Sequence, residues 1–281
     1  SQIPAGAQVI SVGSGKMNPN VSLEKPKAEI EDVSQYECIY SYTINGQRVQ
    51  ENYSAILQNG ETMTKFQDYA TFAADSILLT DASDQEKKAL RDVERKAMFG
   101  LDFTVYQNLP ADQMTVVQDV VPNKMSYTEP LGAFAWELQE ETDTVCGYLC
   151  HKATANYGGK TWTAWYADEI PVTAGPWKFN GLPGLILAAK NSEGLHEFRA
   201  IAFRKSSTPL AKYEDVSVFA STREKVVAAK IAAEKGGMSA IEPSSIHSIN
   251  VFKTPDGNGN IMINDVLLRD RPNGYQALET E

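Results

Sequence analysis

The chain has 281 residues, 42% of them hydrophobic and 22% charged, and a formal net charge of −10. This is ordinary globular composition with apolar material for a real core, in one or two domains. Its acidity (pI about 4.9) sets nucleic acid and anionic membranes aside as default partners, and no run reaches the ~18 apolar residues of a spanning helix.

The chain opens at Ser1 with no initiator Met and no apolar signal core. Either a signal peptide is removed before Ser1 or the chain has been trimmed, and the start alone does not separate the two. Residues 1–30, rich in Ser, Gly, Pro, Asn and Lys, read as a loosely held N-terminal arm or single edge strand. Residues 31–281 read as one β-rich domain.

From Tyr36 to Tyr69 the pattern is β. Tyr36, Cys38, Tyr40, Tyr42 and Ile44 alternate with mostly polar neighbours, and Asn45-Gly46 and Asn59-Gly60 punctuate the run. Asn-Gly favours the type I′ turn, which needs positive φ at both central residues, so a meander is expected. The pattern then turns helical. Ser83 and Glu86 form a capping box, and Leu90, Val93, Ala97 and Met98 form a stripe, predicting a helix over 83–98. Strand character returns at Leu101 to Tyr106 and Met114 to Val121.

The densest signal runs from Trp136 to Phe203. Gly158-Gly159 lies between two β-like runs. A two-residue loop there sets Tyr157 opposite Lys160, Ala155 opposite Trp162, Ala153 opposite Ala164, His151 opposite Tyr166, Thr154 opposite Thr163 and Lys152 opposite Trp165. One face then carries Val145, Leu149, Ala153, Ala155, Trp162, Ala164 and Tyr166. The other carries Tyr148, Cys150 and Trp165, with the Lys152 stem placed over the indole. Both faces bear large apolar groups, so both are expected to be covered. Leu182-Pro183-Gly184 reads as a type II turn with positive φ at Gly184.

A second helix is predicted over 222–235, with Ser221 and Glu224 as its capping box and Gly236-Gly237 as its stop. A last hairpin joins Ile246–Lys253 to Ile261–Leu268 through a turn at 255–260.

Gly147-Tyr148, Cys150, Lys152-Ala153, Trp162-Thr163-Ala164-Trp165-Tyr166, Glu169-Ile170-Pro171, Gly175-Pro176 and Phe179 to Ile186 together, in order and spacing over about 134–203, resemble the GLPGLI family of exported Gram-negative bacterial proteins. Cys146 stands where that family usually has a small residue. The resemblance implies export past the inner membrane, to the periplasm or to the outer membrane or cell surface, with the signal peptide removed before Ser1; it brings no established activity and no catalytic residues. A remoter analogy in strand style is to periplasmic lipoprotein-carrier half-barrels.

Catalytic and metal signatures are weak. His151, His196 and His247 lie far apart in sequence, so no zinc spacing emerges and no metal is expected. No Gly-x-Ser-x-Gly elbow appears. Asp256 to Asn260 resembles a calcium loop only until Ile261 and Leu267, which occupy positions where that loop needs glycine and an acid. Glu137, Glu140, Glu141 and Asp143 read as a solvated group protecting a sheet edge. Cys146 and Cys150 in a regular strand would lie roughly 13 Å apart, beyond the ~7 Å Cα limit of a disulfide; Cys38 with either one stays open.

The expected fold is therefore α+β: a mainly antiparallel, strongly curved, half-barrel-like sheet with two main helices near 83–98 and 222–235. The expected function is a non-catalytic binding or accessory protein of the cell envelope without a cofactor. It would hold an apolar or extended ligand (a small molecule, lipid or peptide) against Trp162, Trp165, Tyr166, Trp177 and Phe179, or engage another envelope protein. The alternatives are a secreted hydrolase using His151 or His247, and an interaction subunit using a flat face or free sheet edge.

Overall fold

A computed structural model describes residues 8–13, 27–79, 83–215, 217–254 and 257–280. Most of the 1–30 arm, Pro255 and Asp256 of the calcium-like turn, and the side chain of Glu86 lie outside the described residues. In chain order the elements are β1 (Gln8–Gly13), β2 (Ala28–Val33), β3 (Tyr36–Asn45), β4 (Gln50–Asn59), β5 (Thr64–Asp68), α1 (Tyr69–Leu79), α2 (Asp84–Met98), β6 (Phe103–Gln107), β7 (Gln113–Val120), β8 (Asn123–Pro130), β9 (Glu137–Val145), β10 (Tyr148–Tyr157), β11 (Lys160–Ala167), β12 (Leu185–Asn191), β13 (His196–Lys205), β14 (Pro209–Tyr213), β15 (Val218–Ala220), α3 (Arg223–Gly236), β16 (Ser248–Lys253), β17 (Gly259–Ile263) and β18 (Val266–Leu268).

Twelve strands form one sheet in the order β15-β8-β7-β6-β5-β4-β3-β13-β12-β11-β10-β9. Beside it are a four-stranded sheet, β1-β16-β17-β18, and a two-stranded ribbon, β14-β2. This corrects the expected fold class. Strands make up 50% of the described residues and helices 16%, and the large sheet neither closes nor curls strongly. Closure would require its outer strands to meet. Instead β15 is three residues long, and β9 presents exposed Glu137, Glu140, Glu141 and Asp143, charges that discourage edge pairing. A third helix, α1, follows β5 without a break. Its sequence is apolar nearly all round and gives no stripe to read; Asp68 Oδ2 caps it by accepting from Thr71 N at 3.1 Å.

The glycine-pair hairpin has the register the two-residue loop dictates, from Tyr157↔Lys160 to His151↔Tyr166, with Gly158 and Gly159 at φ 60° and 76°. Its faces differ from regular alternation. The β9–β10 ladder shifts between His151 and Ala153, so Cys150 is buried and Leu149 is 54% exposed. Trp165 and Lys152 are half-buried, and Lys152 Nζ pairs with Glu141 Oε1 at 2.8 Å. Gly184 does not adopt positive φ; Gly181 does, at 86°. Gly184 is needed because a Cβ there would run into the Ala167 carbonyl. The α3 cap is Thr222, one residue after the expected serine, accepting from Lys225 N at 3.4 Å. All three cysteines are free.

One face of the large sheet carries the main core, including Tyr40, Tyr42, Phe66, Phe103, Trp162 and Phe198. The loop 168–184, α3 through Val226, and a C-terminal strap (269–280) cover it. On the opposite face α1 and the β2–β14 ribbon lie over β4 and β5: Gln58 Nε2 donates to the Pro209 carbonyl at 3.2 Å and Lys65 Nζ to the Ala211 carbonyl at 3.1 Å. Over β6, β7 and β8 the back face is covered only in part, where Tyr106 and Val117 pack with Ile30 and Leu210 of the ribbon.

Candidate functional site

The structure brings three of the five expected ligand-binding rings together and separates two. Trp162 and Phe179 are fully buried with ring centroids 4.9 Å apart, and Trp177 lies 5.6 Å from Trp162 and 5.2 Å from Phe179. Tyr166 lies tilted beside His151 at 5.8 Å, away from that trio, and Trp165 sits on the other face of its strand. Ring-on-ring packing fills the space among the trio. The nearest void, between Tyr42, Trp177, α3 and the strap, measures about 60 Å³, room for a few waters and too small for an extended ligand.

What the aromatic region does contain is a buried ion cluster. Lys178, 0% exposed, places Nζ 2.6 Å from Glu129 Oε1 and 2.7 Å from Glu279 Oε1, and donates to Tyr157 Oη at 3.1 Å. Arg223 Nη2 reaches Glu279 Oε2 at 2.7 Å, and Tyr127 Oη donates to Glu279 Oε1 at 2.9 Å. Burial works against the Glu279 charge, but Lys178 and Arg223 outweigh it and hold the carboxyl below its ordinary range. Two cations answer two carboxylates, so this cluster clamps the strap and leaves no charge for a ligand.

A second cluster secures the strap's other end. Asp102 Oδ2 lies 2.8 Å from Lys230 Nζ, 2.8 Å from Arg271 Nη2 and 3.7 Å from Arg269 Nε. Burial opposes the Asp102 charge, yet those three cations keep the carboxyl well below the usual range. Asp102 is thereby fully engaged. Between the two clusters His196 Nε2 donates to the Ala277 carbonyl at 3.1 Å and Nδ1 lies 2.8 Å from Tyr42 Oη; burial lowers the ring's pKa to about 4, and in the neutral ring Nδ1 is the acceptor.

A space of about 570 Å³ lies beside Gln107, Asn108, Asn180 and Gly181, and a larger one lies on the opposite face of the sheet. A groove of about 920 Å³ lies over β5, β6, β7 and β8, at the upper end of ordinary ligand sites. Its floor follows from the ladder register. Lys65, Tyr106, Thr115 and Thr128 lie opposite one another across four strands; the next rung holds Thr104, Val117 and Ser126, and the third pairs Asp119 with Lys124. Its walls come from the β2–β14 ribbon, from Thr71 and Asp75 of α1, from the end of α2, and from Met262 and Leu267 of the small sheet.

Lys65, Asp75 and Asp119 in the groove have shifted protonation. Lys65 is 3% exposed, with Nζ 3.7 Å from Asp75 Oδ2 and over the rings of Tyr106 and Tyr213 at 5.6 and 5.2 Å. Burial pulls its pKa down, partly offset by Asp75, while burial raises Asp75 against the pull of Lys65. Asp119 is also raised, by burial and then by the Asp102 charge. Among the described residues no side chain or backbone N–H donates to its carboxyl. Such perturbed groups in a cleft mark a candidate site.

Sequence reading did not single out this groove. Its floor positions alternate like any wet sheet face, and its walls come from segments distant in the chain. Among the described residues, no three His, Cys, Asp or Glu side chains are grouped to hold a metal. His151 Nε2 lies 3.6 Å from Asp168 Oδ2, and neither His151 nor His247 hydrogen-bonds a serine side chain among the described residues.

No curated protein matches the chain. Among solved structures it is similar to PNGF-II in the P21 space group, with 15% identity, a TM-score of 0.49, and coverage of 72% of this chain and 34% of that one. It is likewise similar to PNGF-II in the C2 space group, with 16% identity, a TM-score of 0.46, and coverage of 71% and 33%. The chain thus spans about a third of the length of those structures, and likeness at this level bears no functional weight. Residues 158–188, from the glycine pair through Lys178 to the start of β12, match a family model described as a protein of unknown function (Porph_ging).

Proposed function

We propose that this protein is an exported, non-catalytic binding or accessory protein of the cell envelope, and that it holds an extended, polar ligand in the groove over β5–β8. The groove itself carries the reading: about 920 Å³, with a carboxyl that no described residue hydrogen-bonds and a desolvated lysine facing into it. Export is supported by the GLPGLI resemblance over 134–203, a stretch that contains the matched residues 158–188. The apolar ligand expected among the aromatic rings is replaced by a polar one, because those rings fill one another's space while the groove floor is hydroxylic. No described helix is long and apolar enough to cross a membrane.

Equilibrium dialysis against separate pools of short peptides, neutral oligosaccharides and single-chain lipids tests this. Retention of one pool by the wild type, lost in Ser126→Trp at unchanged melting temperature, supports the groove. Retention of none, or equal retention by Ser126→Trp, overturns it.

A further inference from the structure

The groove's charge and hydrogen-bonding inventory selects among ligand classes. It is lined by Lys65, Lys124, Lys212 and Arg269, and each of these has a carboxylate partner there. Lys65 faces Asp75 at 3.7 Å, Lys124 faces Asp215 at 3.6 Å, Lys212 pairs with Glu29, and Arg269 faces Asp102 at 3.7 Å. Asp119 and Asp265 remain, so the groove is acidic beyond its own pairing. A phosphate, a uronate or an anionic headgroup would meet no uncommitted cation and a net repulsive field.

Main-chain recognition is closed as well. Strands β5, β6 and β7 are paired on both sides, and β15 covers part of the outer side of β8. The floor therefore offers side chains and no ladder for a peptide strand to join. What it offers are the hydroxyls of Thr104 on β6 and of Ser126 and Thr128 on β8, while Thr115 Oγ1 between them already donates to the Leu109 carbonyl at 2.6 Å. At ~4.8 Å per strand spacing, β5 to β8 spans about 14 Å. An aliphatic chain laid there would bury those hydroxyls without partners, at a cost. Leu109, Met262 and Leu267 supply apolar wall for the C–H faces of a ring.

From this we infer that the groove takes a neutral, hydroxyl-rich chain, a short oligosaccharide, with Asp119 as the carboxyl that anchors it by accepting from a sugar hydroxyl. This rests on the groove being the binding site. Asp119 suits the role because no described residue hydrogen-bonds its half-buried carboxyl, whose oxygens stay within reach of water, so a sugar hydroxyl can take the place of that water without displacing a protein donor. Burial, and then the Asp102 charge, raise its pKa and disfavour the ionised carboxyl in the free protein.

The test is calorimetric titration of the full chain with cellohexaose, chitohexaose, maltohexaose and mannohexaose, with tetragalacturonate as the anionic counterpart and the short-peptide pool as the third arm. At least one neutral oligosaccharide is expected to bind at millimolar or lower concentration, with tetragalacturonate weaker. Asp119→Ala should lose about tenfold in affinity, the size of one charge-assisted hydrogen bond, while melting at or above the wild-type temperature; Glu140→Gln, on the distant edge strand, should bind as wild type. Absence of binding by every neutral oligosaccharide overturns the ligand class. Retention of peptides alone, sensitive to Ser126→Trp, overturns the class and leaves the groove standing. Unchanged affinity in Asp119→Ala overturns the anchor, and a drop in its melting temperature overturns the stability argument for it.

Discussion

The Nζ of Lys178 lies 2.7 Å from Oε1 of Glu279, a contact between residues 101 apart in sequence and each within a tenth of full burial. It fastens the C-terminal strap to the aromatic core that would otherwise lie open. Replacing Lys178 by Met leaves Glu129 and Glu279 with Arg223 as their remaining counter-charge, and breaking a buried pair from one side costs about 3–5 kcal/mol. Urea unfolding should show a loss of that order. The double variant Lys178→Met with Glu279→Gln should recover part of it, because a neutral amide is cheaper to bury than a carboxylate.

Gly158 answers two demands at once. Its φ is 60°, and a Cβ there would lie 2.6 Å from Glu279 Cβ. Gly147 has φ 84° with nothing within 4 Å of its notional Cβ. Gly147→Ala should therefore cost only backbone strain, about 1 kcal/mol, whereas Gly158→Ala should cost clearly more by displacing the strap. Equal melting temperatures for the two alanine variants would remove the strap contact from the explanation.

His196 should make the protein acid-sensitive. Burial, with a smaller push from Lys160, lowers its pKa from 6.5 to about 4 in the folded protein. The unfolded chain takes up the proton first as pH falls, so the stability from keeping the ring neutral is complete above pH 6.5 and is lost down to about pH 4. The loss is on the order of 3 kcal/mol. His196→Gln should flatten the stability curve across that window, and the imidazole resonance should titrate near the lower end.

Lys65 and Asp75 are both pushed toward neutrality by burial. Without the lysine, Asp75 rises further above its unfolded value, so the folded state holds its proton to higher pH. Lys65→Met should therefore fall progressively further behind wild type as pH increases from 5 to 8, with the smallest deficit at the acid end. Stability measured at three pH values decides this; a constant deficit would mean lost packing alone.

Much of the local structure was legible before any coordinates. The glycine pair dictated the hairpin register residue by residue, because a two-residue loop leaves no slack. Both expected helices lie close to their predicted spans, at Asp84–Met98 and Arg223–Gly236. What escaped depends on neighbours remote in sequence. The shift at His151–Ala153 that exchanges Leu149 for Cys150 belongs to pairing with β9, and α1 has no stripe because it is apolar on most sides. Lys178 reads as one more polar residue until Glu129, Arg223 and Glu279 converge on it. Asp119 is an ordinary alternating position until the β2–β14 ribbon, α1 and the small sheet wall in that face.

The most direct test of where a ligand sits is methyl and indole NMR during titration with whichever pool the protein retains. The expected result is shifts in the methyl signals of Thr104, Val117 and Thr128, with the indole N–H signals of Trp162 and Trp177 unmoved. Shifts confined to the two indoles, with the threonine and valine methyls still, would place binding among the packed rings and contradict the groove.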